Sequence, residues 1–248
     1  MKISIITATY NSAVTVTDTM RSIAEQDHPN IEHIIVDGGS SDDTVTIVRA
    51  FPHVTKLVSE KDNGIYDAMN KGIGLATGDV IGILNSDDVY SHDKVLSMVA
   101  ATFADPTIDA VYADLQYVDP ENTNRTIRTW KAGRYRPGLF YYGWMPPHPT
   151  FFVRRKVYTD AGLFNISLRS SADYELMLRI LLKNKVRAAY IPEILVRMRA
   201  GGQSNATFKN RMIANREDRM AWQMNGLKPY FFTLFLKPLR KISQFIIK

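Results

Sequence analysis

The chain of 248 residues contains no cysteine. That absence excludes a disulfide framework, a thiolate metal site and a cysteine nucleophile, and it fits a reducing compartment. No apolar run approaches the length that crosses a bilayer, and there is neither an internal repeat nor a low-complexity segment. The opening Met1-Lys2-Ile3-Ser4-Ile5-Ile6 enters a strand-like run at once, without the charged leader, apolar core and cleavage site of an export signal, so a cytoplasmic location is expected. Several familiar signatures are missing too. Without G-x-x-x-x-G-K-[ST] there is no P-loop phosphate cradle. The five histidines are scattered, none in H-E-x-x-H, and no serine lies in G-x-S-x-G. Gly72-Ile73-Gly74-Leu75-Ala76-Thr77 offers two of the three dinucleotide-binding glycines, but at the end of a helical pattern rather than between a strand and a helix.

What is present is enough apolar sequence, 45%, to bury one sizeable core, as a single α/β domain or a domain with a C-terminal appendage. The net charge of +6 is uneven: residues 199–248 hold ten Lys or Arg against Glu217 and Asp218, a net +8, while the first 198 residues hold 21 basic and 23 acidic side chains. The basic tail also carries Phe231, Phe235, Leu239, Ile242 and Phe245. Cationic and apolar side chains mixed in this way suit an anionic membrane surface rather than nucleic acid. Residues 206–248 are therefore expected to form a basic amphipathic extension peripheral to the inner face of the membrane; its spacing, broken by Pro238, equally suits a helix packed on the domain or a homodimer interface.

In the first half, apolar runs of strand length alternate with stretches whose apolar residues recur every three or four positions. Strands are predicted at 2–8, 32–36, 54–59, 80–84 and 110–115, and helices at 14–26, 43–51, 65–76 and 92–103, the last with Ser91 as a cap. Such alternation means βαβ crossovers and a mostly parallel sheet flanked by helices, a Rossmann-like α/β fold with ligands at the carboxyl ends of the strands. The second half is less regular: a strand at 126–132, an aromatic and proline-rich insertion at 138–149, a helix at 172–183 and a strand at 189–198.

The predicted strand ends carry Thr7-Ala8-Thr9-Tyr10-Asn11, Asp37-Gly38-Gly39-Ser40-Ser41-Asp42, Glu60-Lys61-Asp62-Asn63-Gly64 and Asn85-Ser86-Asp87-Asp88. Each alone reads as a turn; four at one sheet edge read as a site. Carboxylates without imidazole or thiolate bind hard cations such as Mg²⁺ or Mn²⁺, which take substrate phosphates as further ligands, so Asp87 and Asp88 are candidates for a diphosphate clamp.

With those motifs the chain resembles the family 2 glycosyltransferases of GT-A fold that build bacterial surface polysaccharides such as O-antigen and exopolysaccharide, from residue 3 to about residue 204. The resemblance implies a UDP-sugar donor framed by Thr7, Ala8 and Tyr10, with Asp37 recognising the uracil ring. Asn85-Ser86-Asp87-Asp88 matches the D-x-D region, with Asp88 on Mn²⁺ or Mg²⁺ and Asp87 on the ribose or metal shell; Asn85 stands where many relatives have Asp. In Glu60-Lys61-Asp62-Asn63-Gly64-Ile65-Tyr66-Asp67-Ala68-Met69-Asn70-Lys71-Gly72, Asn70 or Lys71 would border the donor pocket, although Asp67 and Lys71 also have the spacing of an exposed ion pair.

Sugar transfer also needs a base for the acceptor hydroxyl. Asp173, in the first turn of a predicted helix, can simply complement the helix dipole; the family pattern makes it the base of inverting members, with Ala172 where Glu is usual. From an α-linked donor a single displacement yields a β-linkage. The resemblance further implies a polyprenyl-diphosphate-linked saccharide as acceptor, with Trp144 and His148 of the insertion beside it, and a Gly201-Gly202-Gln203-Ser204 loop that closes over the diphosphate. A donor-binding half over 1–119 and an acceptor-binding half over 120–205 follow. Two rival readings are a sugar-nucleotide-forming nucleotidyltransferase, for which the loop after the first strand lacks glycine and basic residues, and a degenerate sugar-nucleotide-binding subunit, to which Asn85 and Ala172 would be the clue.

Overall fold

The computed structural model describes residues 1–201 and 208–245. Its first half is the predicted alternation: β1 (Ile3–Thr9), α1 (Val16–Ala24), β2 (Ile31–Asp37), α2 (Thr44–Arg49), β3 (Val54–Ser59), α3 (Ile65–Leu75) and β4 (Val80–Ile83). These strands pair in parallel in the order β3-β2-β1-β4. Every residue of β1 is buried, as expected for a strand with helices on both faces, whereas β3 at the sheet edge is only half covered. Helix α3 lies so close to β1 that a side chain at Gly72 would occupy the place of Ile6.

The second half reverses strand direction. It comprises β5 (Val89–Tyr90), α4 (Val95–Thr102), β6 (Ala110–Val118), β7 (Thr126–Trp130), β8 (Phe152–Arg154), α5 (Arg155–Ala161), α6 (Ala172–Met177), β9 (Ala188–Arg199), α7 (Phe208–Met224) and α8 (Thr233–Leu239). Strand β8 is antiparallel to both β4 and β6, β9 is parallel to β6, and β5 is antiparallel to β9, giving the order β3-β2-β1-β4-β8-β6-β9-β5 with β7 paired to β6. The sheet is thus mixed, and helices cover both its faces.

Two local expectations change. Ser91 does not cap α4, because its hydroxyl donates to the Ile194 carbonyl across the β5–β9 pairing; Lys94 stands at the cap position. The predicted helix over 172–183 is α-helical only to Met177 and continues as a π-helical turn, Leu178–Lys183. Arg179 in that turn is held by the Glu175 carboxylate at 3.0 and 2.8 Å and donates to the carbonyl oxygens of Ala161 and Leu163, which ties the widened turn to α5.

Much of the basic tail is integral to the domain. Ala221 and Trp222 of α7 are fully buried, and the Trp222 indole donates to the Tyr174 hydroxyl at 2.9 Å. Lys237 of α8 pairs with Asp218 at 2.7 Å and stands 3.6 Å above the Tyr174 ring. The apolar stripe of the tail is therefore divided: Leu234 faces the core, while Phe231, Phe235 and Leu239 face outward.

Candidate active site

At the carboxyl end of β2, Asp37 is fully buried and accepts five hydrogen bonds, from the hydroxyls of Thr9, Ser40 and Ser59 and the main-chain N–H groups of Gly39 and Ser40. Burial opposes its ionisation, but these donors outweigh burial and hold its pKa below the usual carboxylate value. Asp37 thus organises the loop at 38–41. The loop after β1 is stitched to it, Asn11 N donating to Ser40 Oγ at 2.8 Å and Ser41 N to Asn11 Oδ1 at 2.9 Å, with Asn11 in the left-handed region at φ 48°. Tyr10 projects from this loop, 62% exposed. Thr7 and Ala8 lie lower, buried inside β1, where the Thr7 hydroxyl meets His33 Nε2 at 3.1 Å.

The turn after β4 carries the acidic pair. Asp88 is fully buried; its Oδ2 accepts from Asn85 Nδ2 at 2.9 Å and its Oδ1 has no partner. Burial raises its pKa well above the usual value and the neighbouring charge of Asp87 raises it further, while Asn85 and Arg199 oppose both. Burial also raises Asp87, against the pull of Arg199. The turn is anchored from behind, Thr19 Oγ1 donating to the Asp88 carbonyl at 2.7 Å and Arg199 Nη1 to the Asp87 carbonyl at 2.6 Å.

A buried carboxylate with a bare oxygen beside a second carboxylate suits a divalent cation, whose charge would relieve their repulsion. Asp88 would be its protein ligand, with Asp87 alongside. Among the described residues no group of three or more His, Asp or Glu converges, so the remaining ligands would be water and substrate oxygens.

Asp173 is half-buried in the first turn of α6. Tyr66 of α3 donates its hydroxyl to Asp173 Oδ1 at 3.2 Å, and its ring stacks on Phe164, whose edge meets His148. Burial, then the charge of Asp173, pushes the Tyr66 phenol well up, so it remains a donor. Burial lowers the His148 imidazole against the opposing pull of Asp173, and it is neutral at neutral pH. Burial raises the phenol of Tyr117 in β6, the Arg128 guanidinium 3.5 Å from its ring opposes that, and the charges of Asp88 and Asp173 add to the rise.

Other predicted residues have different surroundings. Both ends of the Asn70 amide are engaged by the Phe164 main chain at 2.9 Å. Lys71 pairs with Glu60 at 2.7 Å and lies 3.8 Å from Asp67, the helical ion pair weighed from the spacing. Trp144 is 3% exposed, stacked on Tyr135, with its indole donating to the Ala132 carbonyl at 2.7 Å, so its ring belongs to the core wall. Gly201 has φ +107°; Gly202, Gln203 and Ser204 lie outside the described residues.

Sequence reasoning missed Arg199, Tyr66, Tyr117 and Glu217. Glu217 of α7 is nearly buried and accepts the main-chain N–H groups of Arg169, Ser170 and Ser171 at 3.0, 2.7 and 3.1 Å, fixing the approach to α6. Tyr66 sits inside a quoted motif and was legible there; the other three reach their partners only through tertiary pairing.

The architecture is that of the GT-A glycosyltransferases. S. aureus TarS 1-349 in complex with UDP-GlcNAc superposes with a TM-score of 0.71 at 20% identity over 98% of this chain and 73% of that one. The mannosyltransferase PcManGT of Pyrobaculum calidifontis, in complex with GDP-Man and Mn²⁺, superposes with 0.68 at 21% identity over 95% and 68%. Against the longer TarS structure the chain spans 42% of the length. A sequence profile of glycosyl transferase family 2 matches residues 4–162, and the chain belongs to that family. A PGL/p-HBAD biosynthesis glycosyltransferase of Mycobacterium tuberculosis is 31% identical over 208 residues, 82% of this chain and 78% of the relative. The protein is a glycosyltransferase.

Proposed function

We propose that the protein is an inverting, metal-dependent transferase that moves a hexosyl or N-acetylhexosaminyl group from a UDP-sugar to a hydroxyl of a lipid-linked glycan, forming a β-linkage in surface-polysaccharide synthesis. The observation that carries the reading is the buried Asp88 carboxylate with a bare oxygen beside Asp87 at the end of β4, together with the partly exposed Asp173 carboxylate whose Oδ1 is held by Tyr66. UDP-GlcNAc in TarS and GDP-Man with Mn²⁺ in PcManGT support a nucleotide-sugar donor and a divalent ion.

In this reading the loops at 9–12 and 38–41 frame the nucleoside. Asp37 shapes that frame, and a base would have to displace one of its five protein donors to bond it directly. Asp88 and Asp87 hold the cation, which when bound offsets charge on the departing diphosphate. Tyr66 fixes Oδ1 of Asp173, so that Oδ2 takes the acceptor proton. The acceptor oxygen then bonds to the anomeric carbon from the face opposite UDP, the anomeric C–O bond breaks, and its electron pair leaves on the diphosphate. His148, neutral beside Asp173, and Phe164 form the acceptor wall, with Trp144 as its buried backing. Outward-facing Phe231, Phe235 and Leu239, with nearby cations, support a peripheral position on the membrane.

The test is calorimetric titration with UDP, GDP, CDP and dTDP, each with and without Mn²⁺, on the wild type, Asp88→Asn and Asp173→Asn. Expected are Mn²⁺-dependent binding selective for UDP, its loss in Asp88→Asn, and unchanged UDP binding without turnover in Asp173→Asn. Equal binding of all four nucleotides, or wild-type turnover in Asp173→Asn, overturns the reading.

A further inference from the structure

The turn after β4 is fastened by its main chain and leaves few oxygens to meet a cation. The carbonyl oxygens of Ser86, Asp87 and Asp88 accept from Thr15 Oγ1 at 3.0 Å, Arg199 Nη1 at 2.6 Å and Thr19 Oγ1 at 2.7 Å, and the Asn85 carbonyl accepts from the Asp88 N–H at 3.1 Å. The Ser86 hydroxyl meets Ser12 Oγ at 2.8 Å. These carbonyls and the hydroxyl are thereby directed toward α1, β9 or the turn itself, and the carboxylates of Asp87 and Asp88 are left as the cation ligands. Asp88 is fully buried and offers one oxygen: Asn85 Nδ2 occupies Oδ2 at 2.9 Å, and Oδ1 stays bare.

What an amide does at position 85 follows from its chemistry. Nδ2 is a donor, so it fixes the orientation of the Asp88 carboxylate, which an ionised aspartate in its place would repel. The amide is also neutral, so the turn brings only the charges of Asp87 and Asp88 to a hard cation that takes about six oxygen ligands. With Asp88 restricted to a single oxygen, the two carboxylates fill a minority of those places. A diphosphate supplies further anionic oxygens.

We propose that Asn85 is a positioning residue that makes cation and nucleotide binding cooperative. It presents Asp88 as a one-oxygen ligand and withholds a third negative charge, so the site takes a divalent cation together with the donor diphosphate and holds either one alone weakly. The inference rests on the metal-dependent reading above and adds to it the residue that sets the coupling. The coupling is reciprocal, because whatever factor UDP adds to cation affinity the cation adds to UDP affinity. An aspartate at 85 would break it in a definite direction. Its charge would repel Asp88 in the absence of a cation and attract a cation without any nucleotide, so the variant loses stability without metal and gains affinity for metal alone.

The experiment measures Mn²⁺ binding by electron paramagnetic resonance of the free ion, with and without UDP, on the wild type, Asn85→Asp and Asn85→Ala, with melting temperatures recorded in EDTA. Expected for the wild type is an affinity for Mn²⁺ about tenfold or more higher with UDP than without. Asn85→Asp should melt lower in EDTA, bind Mn²⁺ alone about tenfold tighter than the wild type, and lose most of the enhancement by UDP. Asn85→Ala removes the donor without adding charge; it should keep the weak binding of Mn²⁺ alone and lose about tenfold in the presence of UDP. Wild-type affinity in Asn85→Ala with UDP overturns the positioning role, even where Asn85→Asp does not fold. A wild type that binds Mn²⁺ in neither condition overturns the metal-dependent reading and the inference with it. Wild-type binding of Mn²⁺ that UDP does not strengthen, or wild-type affinity for Mn²⁺ alone in Asn85→Asp, overturns the inference and leaves metal dependence standing.

Discussion

Arg199, the last residue of β9, donates from Nη1 to the main-chain carbonyl oxygen of Asp87 at 2.6 Å, joining the far half of the sheet to the turn that holds the acidic pair. The same guanidinium reaches Asp18 of α1 and the carbonyl of Pro120 at 3.1 Å, and it is 8% exposed. A planar fork can serve three acceptors at fixed angles, and a lysine ammonium cannot. Arg199→Lys should cost roughly 1–3 kcal/mol of stability through buried acceptors left unpaired. It should also weaken Mn²⁺-dependent UDP binding by about tenfold, since about 1.4 kcal/mol of displaced turn suffices for that. Thermal melts and calorimetric titration measure both; an unchanged affinity would mean that Thr19 and Asn85 hold the turn without help.

Glu217 is a positioning residue for Asp173. It touches neither the acidic pair nor the nucleoside loops, yet three main-chain N–H groups immediately before α6 end on its two oxygens. Glu217→Gln keeps the shape but removes the charge and one acceptor, and charge-assisted bonds of this kind are the stronger ones. The expected outcome is a fall of about tenfold in kcat, of the order that a single weakened charged hydrogen bond allows, with the KM for the donor unchanged. A rise in donor KM with kcat preserved would assign Glu217 to the donor side instead.

The sequence showed the parallel half of the fold because β1 to β4 and their helices are local patterns: β3 begins and ends at the predicted residues, and α3 differs from its prediction only at the last position. The candidate site could be read from the sequence where acidic residues stand at or just after a strand end, as at Asp37, Asp87 and Asp88. It was illegible where a side chain acts across the fold. Nothing in the spacing reveals that Glu217 serves residues 169–171, that Arg199 reaches Asp87, or that the Asn70 amide is fully engaged by Phe164, because each pairing depends on tertiary packing. The tail was half legible: its apolar spacing predicted a helix, but only the fold divides inward Leu234 from outward Phe235.

Acid sensitivity should come in two stages, set by neighbours on β2. His33 is fully buried between Thr7 and His53, and burial, aided by the charge of His53, lowers its pKa to about 3. Its unfolded form takes up a proton below about 6.5, so the unfolded state binds more protons and stability falls as pH drops from there toward 3. Glu32 behaves with the same sign at lower pH. Burial raises its pKa, but the bonds from Ser4, Thr77 and Lys2 outweigh burial and hold it at about 2. Its contribution, about 3 kcal/mol by linkage, is present above pH ~4.5 and lost on approach to 2. Denaturant midpoints measured against pH should therefore flatten between about 6.5 and 4.5 in His33→Gln, and lose their steep lower limb in Glu32→Gln. A wild-type slope in both variants would place the acid-sensitive groups elsewhere.

Gly143 tests whether α8 belongs to the folded domain or merely rests on it. Its φ of +73° is costly for any other residue, and a Cβ there would enter the backbone at Leu236 and Lys237 rather than the end of a flexible side chain. Backbone cannot yield as a side chain does, so Gly143→Ala must move α8 away. The displacement pulls Lys237 from Asp218 and Tyr174, and Thr233 from the Tyr141 carbonyl that its hydroxyl meets at 2.6 Å. The loss should be roughly 1–3 kcal/mol, the range for forcing extra volume into a packed site. Hydrogen exchange should speed up in α8 and at the end of α7 while β1 to β4 keep their protection, because the parallel half shares none of these bonds. Uniform acceleration across the chain would instead make α8 part of one cooperative unit with the sheet, and unchanged exchange would show that the helix tolerates the displacement in place.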